Sequence, residues 1–308
     1  VSENGHKLSN NGGVKMKKIG VALLGMIMLV AFAGVAHAEI KIGVLAKSGA
    51  ESALKKWKAT GDYLAVKLGE PVVIIPLKFT AIEPIVKSGK VDFLLANSAF
   101  FVEMEKKYGA KAVATLINSV DGKALKEFGA VILVRADSPI HTLTDIKGKK
   151  FMCVKFNAFG GLQMAWRVFL ENGIDPQKDF AAFAEGNKHD NVVMAVKSGV
   201  MDAGTVRTDT LERMADQGKI NMADFRVINQ IKDDFPYVHS TILYPEWPMA
   251  VLSHVDADKA AKVGAALQAL TASDQAVKNA ALVGWAPAAD YGPVRDCLKA
   301  IKYGSFAN

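Results

Sequence analysis

Four places in this sequence set small or polar residues between a strand-like apolar run and a helix-like segment. They are Phe79-Thr80-Ala81, Ala96-Asn97-Ser98-Ala99, Asn157-Ala158-Phe159-Gly160-Gly161 and Arg207-Thr208-Asp209. A helix N-terminus carries unpaired N–H groups and about half a positive charge, so several such ends facing one crevice would hold an anion. Arg207 adds a guanidinium fork that suits an oxyanion, at the end of the apolar run Asp202-Ala-Gly-Thr-Val206. His189-Asp190, opening a predicted helix over 190–198, offers a hydrogen-bonding pair for the same crevice. Phe79, Phe159, Tyr237 and Trp247 are candidate walls.

Each of these residues also has a plainer use. Thr80, Asn97, Ser98 and Thr208 suit ordinary helix N-caps. Gly160-Gly161 can be a simple turn, and Arg207 can pair with Asp209 or Asp190. Asp190 can be a cap beside a surface His189, and aromatic residues commonly serve the core. Catalytic patterns are missing: no Gly-x-Ser-x-Gly, Walker loop or His-Glu-x-x-His occurs. His141, His189, His239 and His254 are scattered, which does not suggest a metal site, and nothing calls for a cofactor.

The elements that must position these residues alternate. Strands are expected at 39–45, 71–77, 91–96, 129–135, 150–155, 180–184, 202–206 and 226–231, with an extended stretch at 241–254. Helices are expected at 51–68, 81–88, 98–107, 161–171, 190–198, 208–217, 256–270, 273–282 and 293–301. Runs of Val, Ile and Leu alternating with helices indicate α/β architecture with mostly parallel sheets. Two lobes are expected, 39–134 with 247–308 and 135–246, joined by crossings near 130–137 and 241–250. A cleft between them would hold the ligand, because carboxyl ends of strands line such crevices.

The chain has 308 residues, 50% hydrophobic and 22% charged. That size suits two domains and excludes a disordered tail, a fibre or a polytopic membrane protein. Two cysteines exclude a disulfide scaffold; Cys153 and Cys297 are expected as separately buried thiols, with pairing the alternative. Met16-Lys-Lys, the apolar run Ile19–Val35 and Ala36-His37-Ala38 have the pattern of a secretory signal peptide, cleaved after Ala38. The alternative is a membrane anchor. Cleavage would remove four basic residues and one acidic residue, lowering the formal charge from +7 to +4. That is no nucleic-acid footprint.

The sequence from Glu39 to Pro293 resembles the phosphonate/phosphite-binding periplasmic proteins of ABC importers, which have the type II periplasmic binding fold. The likeness lies in Lys41-Ile-Gly-Val44, Ser88-Gly-Lys-Val-Asp92, Asn97-Ser98-Ala99 and Ala136-Asp-Ser-Pro-Ile140. It continues in His189-Asp190, Ala195-Val-Lys-Ser-Gly199, Thr208-Asp209-Thr210-Leu211 and Gly284-Trp-Ala-Pro287. Where the importers carry a Ser-Thr-x-Ser-Gly turn, this chain has Asn157-Ala-Phe-Gly-Gly161, and Arg207 stands where an amide is common. Phe159–Ala165, Gly204–Arg213 and Tyr244-Pro-Glu-Trp-Pro248 are similar instead to sensory ectodomains of tetrathionate-sensing histidine kinases.

The resemblance implies a free periplasmic solute-binding protein, a monomer and not an enzyme, that delivers a small oxyanion to an ABC permease. The alternative is the ligand-binding component of a two-component sensory system, with a membrane sensor kinase as partner; an enzyme is the remote one. The expected ligand-binding residues are Thr80, Ala81, Asn97, Ser98, Ala99, Phe159, Gly160, Gly161, His189, Asp190, Arg207, Thr208, Asp209 and Trp247.

Overall fold

The computed structural model describes residues 39–120 and 123–307. The expected signal peptide, residues 1–38, lies outside the described residues.

The strands in chain order are β1 (Ile40–Leu45), β2 (Val72–Leu77), β3 (Phe93–Leu95), β4 (Lys111–Val120), β5 (Lys123–Leu125), β6 (Glu127–Phe128) and β7 (Ala130–Arg135). They continue with β8 (Lys150–Cys153), β9 (Ala182–Glu185), β10 (Ala203–Arg207), β11 (Phe225–Ile228), β12 (Tyr244–Pro245), β13 (Pro248–Val251) and β14 (Leu282–Ala286). The helices are α1 (Ala50–Leu68), α2 (Ile82–Lys87), α3 (Ser98–Tyr108), α4 (Met164–Glu171), α5 (Pro176–Asp179), α6 (His189–Lys197), α7 (Thr210–Asp216), α8 (Ala257–Gln268), α9 (Gln275–Ala280) and α10 (Gly292–Ala300).

The first lobe is built on the sheet β14-β4-β13-β3-β1-β2, with β5 added to β4. The second is built on β11-β7-β10-β8-β9. Helical spacing explains how they are covered. On α1, Ala53, Trp57, Thr60, Gly61 and Leu64 are buried, at intervals of three, four and one, giving one inward stripe. Gly69 then ends the helix in the left-handed region at φ 69°, which a glycine adopts without steric cost.

Two expectations are corrected. The sheets are mixed, not mostly parallel. β1 pairs in parallel with β2 and β3, but β13 and β14 run antiparallel to β4, and β7 runs antiparallel to β10 and β11. The reversed strands are β7 and β13, which follow a crossing between lobes, β14, which comes later in the first lobe, and β5, which pairs with β4. The lobe change also comes earlier than 134/135. β7 is apolar and buried on both faces from Ala130 to Val134, so it belongs in the interior of a helix-covered sheet and sits between β10 and β11. The first crossing is therefore β6, ahead of 130–137, while β12 lies within the expected 241–250; the two form a short antiparallel pair, Phe128 opposite Tyr244.

One apolar cluster joins the lobes behind the crossings. It contains Phe101 and Met104 of α3, Met164 and Phe169 of α4, and Val294, Cys297 and Leu298 of α10. α10 packs on both α3 and α4. Cys153, on β8, and Cys297 are free thiols in separate buried positions, and burial pushes both up to about 12.

Candidate functional site

Between the lobes lies a cavity of about 360 Å3. The first lobe contributes Leu45 and Lys47 from the end of β1, Phe79, Asn97 and Trp247; the second contributes Phe159, Gly160 and Gly161, His189 and Asp190, Arg207 and Arg213. Phe128, from the crossing β6, completes the wall. The strand-end rule therefore holds on both sides of the cavity.

Arg207 is at its centre. Its side chain is 13% exposed and donates from Nη2 to Glu246 Oε1 at 2.8 Å, while Asp209 lies 3.7 Å from Nε. Glu246 is 1% exposed and also accepts from the Asn118 side chain. The guanidinium stands 4.4 Å over the Phe128 ring. Burial alone would lower the Arg207 pKa, but Glu246 and Asp209 outweigh it and keep the group charged. A guanidinium has five N–H groups. Glu246 takes one and the Thr208 carbonyl lies 3.4 Å from Nε, so three are left for a ligand.

His189 is half-buried, and its Nδ1 accepts from the Arg207 backbone N–H at 3.2 Å. A ring nitrogen that accepts carries no proton, so the neutral ring has its hydrogen on Nε2. Burial, with Lys47 and Arg207 nearby, holds His189 well below the usual histidine range, so that neutral form persists. The side chain is then a hydrogen-bond donor at the cavity wall. Asp190 is turned to Arg213 and to Lys219 Nζ at 3.3 Å, not to Arg207. Its hydrogen bond to Arg213 holds its pKa below the usual carboxylate range.

Gly160 opens the π-helical turn Phe159–Gln163 that leads into α4. A Cβ there would stand 2.7 Å from Phe128 Cε2 and 3.0 Å from Arg207 Cβ, so the residue must be small for those two to pack.

Of the expected residues, Asn97, Phe159, Gly160, Gly161, His189, Asp190, Arg207 and Trp247 line the cavity. The others do not. Thr80 is exposed and Ala81 half-buried, because their turn directs Phe79 inward instead. Ser98 is buried and donates to the Pro245 carbonyl at 2.7 Å, tying α3 to the second crossing. Ala99 lines a different, smaller cavity with Glu103 and Tyr303. Thr208 is buried with its hydroxyl 3.3 Å from the Gly129 N–H. Asp209 sits behind Arg207 at φ 75°. Asn97 both lines the cavity and caps α3, accepting from the Phe100 N–H at 3.1 Å. Tyr237 lies against Phe235 and is not among the residues lining the cavity.

Lys47, Arg213 and Glu246 were not among the expected residues. Lys47 follows the first strand and precedes α1, the same signal that pointed to the other strand ends. Its ammonium is 5.5 Å over the Trp247 ring, and burial and Arg207 lower its pKa. Among the described residues, no three His, Cys, Asp or Glu side chains come together to hold a metal ion.

Comparison with known proteins fits this arrangement. Residues 42–291 match the family described as ABC transporter, phosphonate, periplasmic substrate-binding protein. The tetrathionate sensor histidine kinase TtrS of Salmonella typhimurium is 32% identical over 258 residues, 83% of this chain. The match spans only 43% of TtrS. XAC2383 of Xanthomonas citri, bound to ATP, superposes with a TM-score of 0.68 at 18% identity, covering 86% of this chain and 97% of its own. PhnD1 of Prochlorococcus marinus, in complex with methylphosphonate, gives 0.66 at 15% identity over 85% and 97%. At those identities the two structures share the two-lobed fold. The chain thus belongs to the phosphonate-type periplasmic substrate-binding proteins of ABC transporters.

Proposed function

We propose that this protein captures a small oxyanion in the cavity between its lobes and presents the closed form to a membrane partner. One observation carries the reading. The main cavity is lined by Lys47, Lys188, Arg207 and Arg213 against a single carboxylate, Asp190. Neutral donors support it: His189 Nε2–H and the small-residue turn at Gly160 and Gly161. Aromatic walls exclude water, which strengthens each polar contact. Closure would turn on the β6–β12 crossings, and no catalytic step is assigned.

Residues 1–38 are proposed to export the chain to the periplasm, where it acts as a monomer. An ABC permease is the partner the family implies. A second reading has a specific support: the sensor kinase TtrS is 32% identical over 83% of this chain, so a sensor is the alternative partner and tetrathionate a candidate ligand.

The test is a thermal-shift and calorimetric screen of tetrathionate, methylphosphonate, phosphate and sulfate, with uncharged sugars as controls. A ligand at 100 times its Kd should add about 2.7 kcal/mol of stability. Stabilisation by sugars alone would overturn the anion reading.

A further inference from the structure

The cavity does not end at Arg207. A second chamber of about 230 Å3 adjoins it and shares Leu45, Lys47, Ser48, Arg207 and Trp247 with it. Its own wall includes Lys56 and Trp57 of α1 and Asn118 of β4. The carboxylate of this chamber, Glu246, is already engaged by Arg207 and Asn118. Among the described residues, neither Lys47 nor Lys56 has a carboxylate partner; they lie over the rings of Trp247 and Trp57 at 5.5 and 5.3 Å.

Two unpaired ammonium groups in one chamber, beside a guanidinium, repel one another. Burial, with Lys47 and Arg207 adding to it, lowers Lys56 from its ordinary value to about 8. Glu246 and Asp209 offset that arrangement only in part, and further opposite charge would relieve it. A one-centre oxyanion held by Arg207, His189 and Arg213 leaves Lys56 as it was. An anion long enough to extend from the main cavity past the shared Leu45 and Trp247 into the second chamber reaches both groups of cations, and those shared apolar walls suit an apolar or weakly hydrated middle.

We propose that the two chambers take one extended ligand with an anionic group at each end, the second end held by Lys47 and Lys56. The proposal rests on the anion reading above and narrows it to two-ended dianions.

The experiment compares ethane-1,2-disulfonate and butane-1,4-disulfonate with ethanesulfonate by calorimetry at pH 7. The better disulfonate should bind about tenfold tighter than ethanesulfonate, or more, since a second charged contact is added. In Lys56→Gln and Lys56→Met that ratio should fall toward one. Lys56 is half-buried on α1, and both replacements are good helix formers of similar length, so folding should be retained, which a melting curve verifies. If ethanesulfonate binds and the disulfonates bind no tighter, or if Lys56→Gln keeps the full ratio, the two-ended ligand is wrong while the anion reading stands. If neither sulfonate binds, and the oxyanion screen is negative too, both fall together.

Discussion

Arg207 and Lys56 bring positive charge into adjoining chambers under opposite conditions. Arg207 reaches the cavity already matched by the buried Glu246, with Asp209 behind it. Lys56 arrives on α1 with a tryptophan ring beneath it and, among the described residues, no ion pair of its own, since the chamber's carboxylate, Glu246, is held by Arg207 and Asn118. At the first the fold supplies the counter-charge and fixes the geometry of a donor. At the second the counter-charge is already committed to Arg207 and offsets the lysine only in part. Arg207 thus serves the fold and the ligand together, whereas the proposed role of Lys56 lies with the ligand alone.

Removing Arg207 breaks the comparison at its stronger end. Arg207→Ala should abolish the ligand's guanidinium contact and weaken anion binding by roughly 30-fold or more. It should also leave Glu246 buried without a cation, at a cost of about 3–5 kcal/mol in stability. Chemical denaturation should therefore show a clear loss for the single variant. Adding Glu246→Gln should restore much of that stability without restoring binding. A single variant as stable as the wild type would mean that Glu246 does not depend on Arg207.

A smaller loss is expected from the turn beneath Arg207. In Gly160→Ala the new methyl would collide with the Phe128 ring and crowd Arg207 Cβ. Overpacking of this kind costs about 1–3 kcal/mol, and the displaced guanidinium should also bind anions less tightly. Calorimetry and a melting curve on the same sample would separate the two effects. Unchanged values in both would show that the turn has room the packing does not suggest.

How legible the site was in the sequence follows from the same contrast. The strand-end rule pointed to Arg207, Gly160 and Asn97, because a buried apolar run ending in a polar or small residue fixes where the chain leaves the sheet; His189 came from the start of a helix instead. It failed at Ser98 and Thr208, whose hydroxyls are taken by Pro245 and Gly129, backbone that arrives from elsewhere in the chain. Glu246 was hidden for the same reason. Nothing local to Pro245-Glu246-Trp247 says that Arg207, 39 positions earlier, will meet it. In the fold, helices with a clear apolar stripe were legible. β4 was not, since Ala, Thr, Asn and Ser interrupt its apolar residues. Its stability depends on β13 and β14, which come more than 120 residues later.

The uncompensated end has its own pH signature. A lysine whose folded-state pKa is lowered penalises the folded state wherever it is charged in both states. The penalty from Lys56 is full below about pH 8 and disappears as pH rises toward the unfolded-state value of 10.5. Relative to Lys56→Gln, the ligand-free wild type should therefore gain stability between pH 8 and 10.5. Water at this partly exposed site screens the effect, so about 1 kcal/mol is expected, a relative shift of roughly 2–4 °C in melting temperature. Dianion binding should weaken over the same interval, as the ammonium loses its proton. Parallel melting curves from pH 7 to 10.5 would contradict the account of Lys56.

The smallest effect belongs to Asp190, the one acidic side chain among those lining the main cavity. Its bonds go to Arg213 and Lys219, groups 40% and 51% exposed, so the cluster resembles a surface ion pair. Such pairs contribute about 0–1 kcal/mol, and Asp190→Asn should cost no more than that. The Asp190 pKa is depressed, so this contribution is present above the ordinary carboxylate value and is lost as pH falls through the lower folded-state value. The effect on the ligand runs the other way. Neutralising Asp190 frees Arg213 and removes the repulsion of an incoming anion, so affinity should rise by about two- to fivefold. Calorimetry with tetrathionate and with ethanesulfonate would measure it. A fall in affinity would mean that Asp190 accepts a hydrogen bond from the ligand. The end of the ligand nearest Asp190 would then carry a donor or a positive charge, and the symmetry of a two-ended dianion would fail there while Lys47 and Lys56 kept their anionic end.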